Sequence, residues 1–247
     1  MSNLFDVTGK VALVTGASSG IGRMIARGFA QAGMRVYICS RKAGDIEATA
    51  RAIGCIGFVA DLSSPEGIPA IVAALTAHEP HLDVLVNNAG ATWCAPLDTY
   101  PESGWDKVMD LNVKSAFFLT QALLPMLRAA PKAARVINIA SVNGRVPPDL
   151  ETYAYSSSKA ALLMLTRHLG KRLAPDILVN AIAPGPFPSK MMAGTLEVFG
   201  EQIANSVPLR RLGEADDIVG TAQFLVSRAG AYLTGAVIPC DGGMGDL

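Results

Sequence analysis

The stretch Lys10-Val-Ala-Leu-Val-Thr-Gly-Ala-Ser-Ser-Gly-Ile-Gly22 decides the fold of this chain. An apolar run ends at Thr15 and passes into a turn with the spacing Gly-x-x-x-Gly-x-Gly, after which a helical pattern continues to about Gly33. Glycines let a backbone approach a pyrophosphate, and the start of the next helix offers free N–H groups and the positive end of a dipole. We therefore predict a strand, a turn and a helix that bind a dinucleotide, with a plain strand-to-helix turn as the alternative.

Short apolar runs and helical stretches alternate along the rest of the chain. We expect further strands near 35–39, 56–60, 82–86, 135–139, 177–180 and 236–239, and helices near 43–53, 66–78, 103–129, 153–173 and 214–228. The strand runs are almost continuous in Val, Ile and Leu, which is typical of strands buried on both faces. This pattern predicts a Rossmann-type, doubly wound α/β fold in which helices cover both faces of a seven-stranded parallel sheet, as one domain over residues 1–247. The segment from Pro184 to about Pro208 is predicted to be a long irregular insertion that contacts substrate.

Composition excludes several classes of protein. Half of the 247 residues are hydrophobic, 17% are charged and the formal net charge is zero, so a nucleic-acid partner, which needs a basic surface, is not expected. No apolar run reaches the ~18 residues of a membrane span, and the first residues do not resemble a secretory signal. Four scattered cysteines, in no metal-ligand pattern, are expected to be reduced in a cytoplasmic protein without a metal site.

The residues after the second expected strand indicate which nucleotide binds. An acidic residue there would bind the ribose hydroxyls of NAD, whereas an arginine accommodates the 2′-phosphate of NADP. The chain has Ser40-Arg41-Lys42, and the next acid, Asp45, is expected inside the following helix. A guanidinium matches a phosphate, and Ser40 and Lys42 can add contacts. We predict NADP (as NADPH), with solvated charges at a helix start as the alternative.

A second motif supplies a proton donor. In Tyr153-Ala-Tyr-Ser-Ser-Ser-Lys159, the side chains of Tyr155 and Lys159 are four residues apart and share one face of a helix. A tyrosine ordinarily titrates near ~10, and a neighbouring cation stabilises its phenolate. We expect Lys159 to lower the pKa of Tyr155 and make an acid that works near neutral pH. The alternative is that Tyr155 only packs on the sheet, but Ser141 upstream and the glycine turn favour catalysis.

Taken together, the motifs resemble those of one enzyme family. Thr15-Gly-x-x-x-Gly-x-Gly22, Asn87-Asn-Ala-Gly90, Asn112, Ser141, Tyr155-x-x-x-Lys159 and Pro184-Gly185 occur in the order and spacing of the short-chain dehydrogenase/reductase family, over residues 10–243. Three more stretches, at 100–109, 183–189 and 231–235, are similar to those of NADPH-dependent β-ketoacyl reductases within that family.

The resemblance implies a role for each matching residue. Tyr155 would be the acid/base, and Lys159 would lower its pKa and bind the nicotinamide ribose. Ser141 would polarise the substrate carbonyl, and Asn112 would position a water that relays protons to Lys159. The implied cofactor-binding set comprises Gly16, Ser18, Ser19, Gly20, Ile21, Gly22, Ser40, Arg41, Lys42, Asp61, Leu62, Asn88, Ala89, Gly90, Tyr155, Lys159, Pro184, Gly185 and Ser189.

Three of these positions have structural alternatives. Asn112 could be a helix N-cap, and Asp61 could cap the helix that follows it. Asn87 and Asn88 could tie neighbouring strands together while they line the cofactor groove.

The substrate pocket is expected to be lined by Thr92, Trp93, Cys94, Val142, Asn143, Phe187, Met191 and Met192. This mostly apolar set suits an acyl chain or another hydrophobic ketone better than a sugar. We predict NADPH-dependent reduction of a small-molecule carbonyl substrate, a 3-oxoacyl thioester or another hydrophobic ketone. The alternatives are an NAD(P)-dependent sugar or alcohol dehydrogenase and a non-catalytic NADP sensor or scaffold. The family resemblance also implies a homotetramer.

Overall fold

The computed structural model describes residues 3–190 and 192–245, which form a seven-stranded sheet. All neighbouring strands are parallel, in the order β3-β2-β1-β4-β5-β6-β7. The strands are β1 Val11–Thr15, β2 Arg35–Ser40, β3 Ile56–Val59, β4 Val84–Asn87, β5 Ala134–Ile139, β6 Ile177–Pro184 and β7 Val237–Cys240. The predicted fold class is confirmed, and each expected strand is present within two residues of its expected start.

Helices cover both faces of the sheet. They are α1 Gly20–Gln31, α2 Ala43–Ile53, α3 Gly67–Thr76, α4 Glu102–Met109, α5 Ser115–Ala122, α6 Leu124–Arg128, α7 Tyr153–Leu173, α8 Ala193–Ser206 and α9 Ala215–Val226. Helix α1 shows why they pack, since its buried residues, at 22, 25, 26 and 29, recur on one face at the helical period.

Strand β1 lies at the centre and contributes to two hydrophobic cores. Ala12 and Val14 point to one face and pack in a cluster with residues of α1 and α9, whereas Val11 and Leu13 point to the other and pack with residues of α3 and α5. Every residue of β1 is buried, and its side chains point alternately to the two faces of the sheet. The side chains from Val11 to Val14 are therefore apolar on both faces. This explains the unbroken apolar run in the sequence.

Two helical regions differ from prediction. The expected helix over 103–129 is divided, and its middle, Asp110–Lys114, is a π-helical turn. The segment predicted to be irregular, 184–208, contains the 14-residue helix α8. None of the described α8 residues is buried, so this helix lies against the molecule without joining its core.

The chain reverses its strand order at β1, with β2 on one side and β4 on the other. In open parallel sheets a crevice forms at such a point, at the carboxyl ends of the strands. The glycine turn after β1, Ser40 at the end of β2 and Asn87 at the end of β4 all reach this edge.

Candidate active site

In the glycine turn, neighbouring atoms lie so close to Gly16 and Gly22 that neither position has room for a side chain. Gly16 has a φ of 62°, and a Cβ there would lie 2.8 Å from Ala89 Cα. A Cβ on Gly22 would lie 2.3 Å from Asn88 Nδ2. That amide group donates to the carbonyl oxygens of Thr15 (2.8 Å) and Gly16 (3.2 Å), which supports the structural alternative for Asn88.

The start of α1 lies directly after this turn. Ser19 is the N-cap residue in an extended conformation, and its side chain makes no capping hydrogen bond within the described structure. Ser18, Ser19 and Gly20 are each partly exposed, while Ile21 packs against the core. The first N–H groups of a helix have no partners inside the helix, so this end can accept an anionic group.

Three predicted cofactor residues lie together at the end of β2. Arg41 and Lys42 are exposed, and the Ser40 Oγ is buried without a hydrogen-bond partner among the described residues. A buried hydroxyl in that state is costly unless a ligand supplies a partner. Asp45 lies in the first turn of α2, as expected. The set fits a nucleotide that carries a phosphate near its adenosine ribose.

Asp61 follows β3 on the same edge. Its Oδ1 accepts from the Ser63 N–H (3.0 Å) and hydroxyl (2.6 Å), so it closes a local turn and does not cap α3, whose N-cap is Glu66. Burial alone would raise the pKa of Asp61, but the Ser63 hydrogen bonds and the charge of Arg41 outweigh burial and lower it. The side chain of the neighbouring Leu62 is buried in the core.

Asn87 belongs to a buried polar network beneath the site. Its Nδ2 donates to Thr120 Oγ1 (3.1 Å) and to Asn138 Oδ1 (2.9 Å), and Asn138 in turn donates to Thr166 Oγ1 (2.9 Å). These bonds join β4, β5 and α7, which supports the structural alternative for Asn87.

The catalytic candidates converge at the carboxyl end of β5. Lys159 is 4% exposed, and its Nζ donates to the Ile139 carbonyl at 2.7 Å and lies 5.6 Å from the centre of the Tyr155 ring. Ser141, two residues after Ile139, accepts a hydrogen bond from the Asn143 N–H at 3.2 Å. The Ser141 hydroxyl therefore keeps its own proton for another acceptor.

The pKa values at this site differ from the prediction. Burial raises the pKa of the Tyr155 phenol, and a hydrogen bond with Ser141 partly offsets this. Burial lowers the pKa of Lys159 to about 8. In this structure the Lys159 ammonium donates to a carbonyl and does not bring the Tyr155 pKa below its ordinary value.

Asn112 lies inside the π-helical turn and is not a helix N-cap. It is 1% exposed; its Oδ1 accepts from the Ala91 N–H at 2.8 Å, and its Nδ2 donates to the Ala91 carbonyl (3.0 Å) and to Ser158 Oγ (2.9 Å). A Cβ on Gly90 would lie 3.1 Å from Asn112 Oδ1 and 3.7 Å from Lys159 Nζ. Asn112 Oδ1 and Lys159 Nζ thus both lie near the same position beside Gly90.

Four of the expected pocket residues, which follow β4 and β5, differ in exposure: three are partly exposed and one is buried. Thr92 and Asn143 are partly exposed near the site, and Trp93 is partly exposed with its ring against Gly104. Val142 is 6% exposed and begins the short 3-10 turn Val142–Gly144.

Residues after β6 cross the crevice. Pro184 is the last residue of β6, and a Cβ on Gly185 would lie 2.8 Å from Asp241 Cα. Ser189 lies over the glycine turn, since a Cβ on Gly20 would lie 3.0 Å from Ser189 Cβ. Met192 is partly exposed at the start of α8, and Met191 lies outside the described residues.

Phe187 occupies a different place from the one predicted. It is 3% exposed, belongs to the core cluster, and its ring lies where a Cβ on Gly213 would be, 2.3 Å from Phe187 Cζ. A large apolar ring gains more free energy from burial than from exposure at a pocket wall, so Phe187 anchors the start of the segment.

Two residues near the site lie outside the predicted cofactor and substrate sets. Lys190 forms an ion pair with Asp45 at 3.0 Å, and Asp241 accepts hydrogen bonds from the N–H groups of Gly243 and Gly245, both at 3.0 Å, beside Gly185. No local pattern could reveal the first, because 145 residues separate the partners. Within residues 3–190 and 192–245, no group of ligands suits a metal ion, and no helix is long and apolar enough to cross a membrane.

Comparisons with known proteins agree with this geometry. A family model described as enoyl-(acyl carrier protein) reductase matches residues 16–245. The chain is 47% identical over 254 residues to the rhamnolipids biosynthesis 3-oxoacyl-[acyl-carrier-protein] reductase of Pseudomonas aeruginosa, covering 98% of this chain and 99% of that one. It is 35% identical over 250 residues to the 2-dehydro-3-deoxy-D-gluconate 5-dehydrogenase of Escherichia coli, covering 97% and 96%.

A solved structure is similar over nearly the whole fold. The Pseudomonas aeruginosa RhlG/NADP active-site complex superposes with a TM-score of 0.94 at 46% identity, covering 99% of each chain. The match of sequence, fold and motif order leads to one conclusion: this chain belongs to the short-chain dehydrogenase/reductase family.

Proposed function

We propose that this protein is an NADPH-dependent carbonyl reductase that acts on hydrophobic ketones, with 3-oxoacyl thioesters as the first candidates. One observation carries the proposal: Ser141, Tyr155 and the buried Lys159 lie together at the carboxyl end of β5, beside the glycine turn. Burying a lysine is costly, and a purely structural role would not require it beside a phenol and a serine hydroxyl.

The raised pKa of Tyr155 suits reduction. A phenol that stays protonated at neutral pH can give its proton to the oxygen of a carbonyl as that oxygen gains negative charge. The Ser141 hydroxyl, held by the Asn143 N–H, can donate a hydrogen bond to the same oxygen. When bound, NADPH supplies the hydride to the carbonyl carbon, so a ketone becomes an alcohol. Lys159 lies beside Tyr155 and can return a proton to it. Asn112 lies close to Lys159, where it can position a water that relays protons to Lys159.

The cofactor residues form a continuous crevice. The glycine turn and the N-terminus of α1 would hold the pyrophosphate, and Asp61 would accept from the adenine. The unpartnered Ser40 hydroxyl with Arg41 and Lys42 would bind the 2′-phosphate. The NADP in the similar Pseudomonas structure supports this choice of cofactor.

The substrate class rests on the segment 184–208, which we propose to be the substrate loop of a one-domain enzyme. Its helix α8 exposes Val198 (69%) and Phe199 (49%), side chains that suit an acyl chain better than a polyol. The 3-oxoacyl reductase named among the relatives supports the same class.

We further propose a cytoplasmic homotetramer. Apolar side chains on α4, α5 and α7 are exposed in the single chain: Trp105 (40%), Phe118 (45%) and Met164 (50%). Contact with a second copy would bury them. The four cysteines are all free, in keeping with a reducing compartment.

The proposal is tested by following NADPH absorbance with a panel of carbonyl compounds. The panel contains β-ketoacyl thioesters of increasing chain length, on coenzyme A and on acyl carrier protein, with a cyclic ketone and a keto-sugar, each with NADH in parallel. We expect turnover of the thioesters with NADPH, increasing with chain length. Preference for the keto-sugar would favour a sugar dehydrogenase, and tight NADPH binding without any turnover would favour a sensor.

A further inference from the structure

Without Lys190, the charged side chains that follow β2 and β3 around the proposed 2′-phosphate site add up to a net charge of zero. Arg41 and Lys42 follow β2, but Asp45 lies one helical turn later and Asp61 lies near enough for the charge of Arg41 to lower its pKa. The glycine turn, residues 15–22, has no charged side chain. Two cations therefore face two anions where a group with two negative charges is expected to bind.

Lys190 brings a third cation from the far side of the crevice. Its Nζ lies 3.0 Å from Asp45 Oδ2, with side chains 70% and 40% exposed. The preceding residue, Ser189, lies over Gly20, so the segment crosses the glycine turn before it reaches α2. The Asp45 pKa is lowered chiefly by Lys190 and to a smaller extent by Lys42, which places all three charges in one group.

We propose that Lys190 is a cofactor-specificity residue: by pairing with Asp45 it removes the carboxylate's repulsion and gives the site the net positive charge that the 2′-phosphate of NADPH requires. This inference rests on the proposed function. It assigns to the substrate loop a part in choosing between NADPH and NADH, in addition to its contact with substrate.

The size of the effect follows from exposure. An exposed ion pair contributes modestly and is screened by salt, so its loss should change affinity only several-fold. The change should fall on NADPH, because NADH has hydroxyls where NADPH has the phosphate. A purely mechanical strap, which holds the loop over the crevice, would weaken both cofactors alike.

The test is equilibrium binding of NADPH and NADH, and of adenosine 2′,5′-bisphosphate and AMP, to the full-length protein by calorimetry at low salt. Three variants are compared with wild type: Lys190→Met, Asp45→Asn and the double variant. We expect Lys190→Met to weaken NADPH and the bisphosphate about 3- to 5-fold and NADH and AMP less than about 2-fold. Asp45→Asn should restore NADPH affinity in the Lys190→Met background.

The matched control is Lys114→Met, which breaks a pair of similar exposure, Lys114 with Asp110 at 3.2 Å, at the two ends of the π-helical turn between α4 and α5. It should leave all four affinities unchanged. Equal loss of NADPH and NADH in Lys190→Met, or failure of Asp45→Asn to restore NADPH, would overturn the proposal. A wild type that does not prefer NADPH would overturn the proposed cofactor itself, a result that is read before any variant is made.

Discussion

The glycine turn at 15–22 and the segment at 184–208 meet at the same edge of the sheet but are packed in opposite ways. In the turn, added Cβ atoms on Gly16 and Gly22 would lie within 3 Å of neighbouring atoms. In helix α8, a Cβ on Gly194 would meet nothing within 4 Å, and none of the described residues is buried. One region is fixed by steric contact, and the other is held by its ends.

The difference separates two kinds of specificity. The cofactor is common to many enzymes, and its site is built from close contacts that admit few side chains. The proposed substrate side has freedom to differ, because its exposed helix imposes few constraints on sequence. The residues proposed for catalysis lie beside the turn, and Ser141 and Lys159 are buried, so changes there should cost far more than changes in α8.

The largest loss is expected from Tyr155→Phe, which removes one hydroxyl from the proposed catalytic group beside the turn. Turnover should fall about 10³-fold, because a phenylalanine ring has no proton to give to the carbonyl oxygen. NADPH binding, measured by fluorescence titration, should stay the same. Activity close to wild type would remove Tyr155 from its proposed role.

Gly22→Ala tests the steric fit of the turn. Its Cβ would displace the Asn88 side chain and break hydrogen bonds to Thr15 and Gly16. We expect a loss of about 2–3 kcal/mol in the free energy of unfolding, with weakened NADPH binding, as for overpacking in a core. Urea denaturation measures the first, and an unchanged midpoint would show that the turn adapts.

Arg41→Ala tests the charge at the end of β2. NADPH affinity should fall about 10- to 100-fold, as expected for loss of charge-assisted hydrogen bonds, and NADH affinity should change little. The ratio of the two dissociation constants is the readout. Equal losses for both cofactors would contradict a contact between Arg41 and the phosphate.

The pH profile tests the buried ammonium. Lys159 has a pKa lowered to about 8, so it is charged below that value and neutral above it, while the Tyr155 pKa is raised. We expect kcat/KM for ketone reduction to be level up to about pH 8 and then to fall, by up to tenfold per pH unit, as Lys159 loses its proton. A profile that stays level to pH 10 would mean that the charge of Lys159 plays no part.

The smallest effect is expected from Gly194→Ala in α8, the counterpart of Gly22→Ala. With open space around the Cβ, alanine should stabilise the helix by at most about 1 kcal/mol and leave NADPH affinity unchanged. The urea midpoint should therefore move slightly upward. A clear loss of stability would show that α8 is packed more closely around Gly194 than the open space there indicates.

Much of the fold and part of the site could be predicted because they depend on local patterns. The strands are apolar runs, the turn is a glycine spacing, and the side chains of Tyr155 and Lys159 are related by helical period. Other features depend on distant contacts. Phe187 is drawn into the core against Gly213, a partner that no periodicity identifies.

Two further features were missed for related reasons. Asn112, inside the π-helical turn, makes hydrogen bonds to Ala91, 21 residues away, and no local pattern identifies that partner. The pKa of Tyr155 was expected to be lowered by its neighbour on the helix, but burial dominates. Spacing predicts which groups are neighbours; it does not predict how much water they lose.

The exposed position of helix α8 has a practical consequence for protein engineering. Since residues 193–206 contribute no buried side chain, a replacement helix from a relative with another substrate could be grafted there at little cost to the core. The graft should leave Phe187 and Val207 in place, because both are buried and fix the two ends. A library of variants confined to residues 193–206 can therefore be screened on new ketones, while the proposed cofactor-binding and catalytic residues stay unchanged.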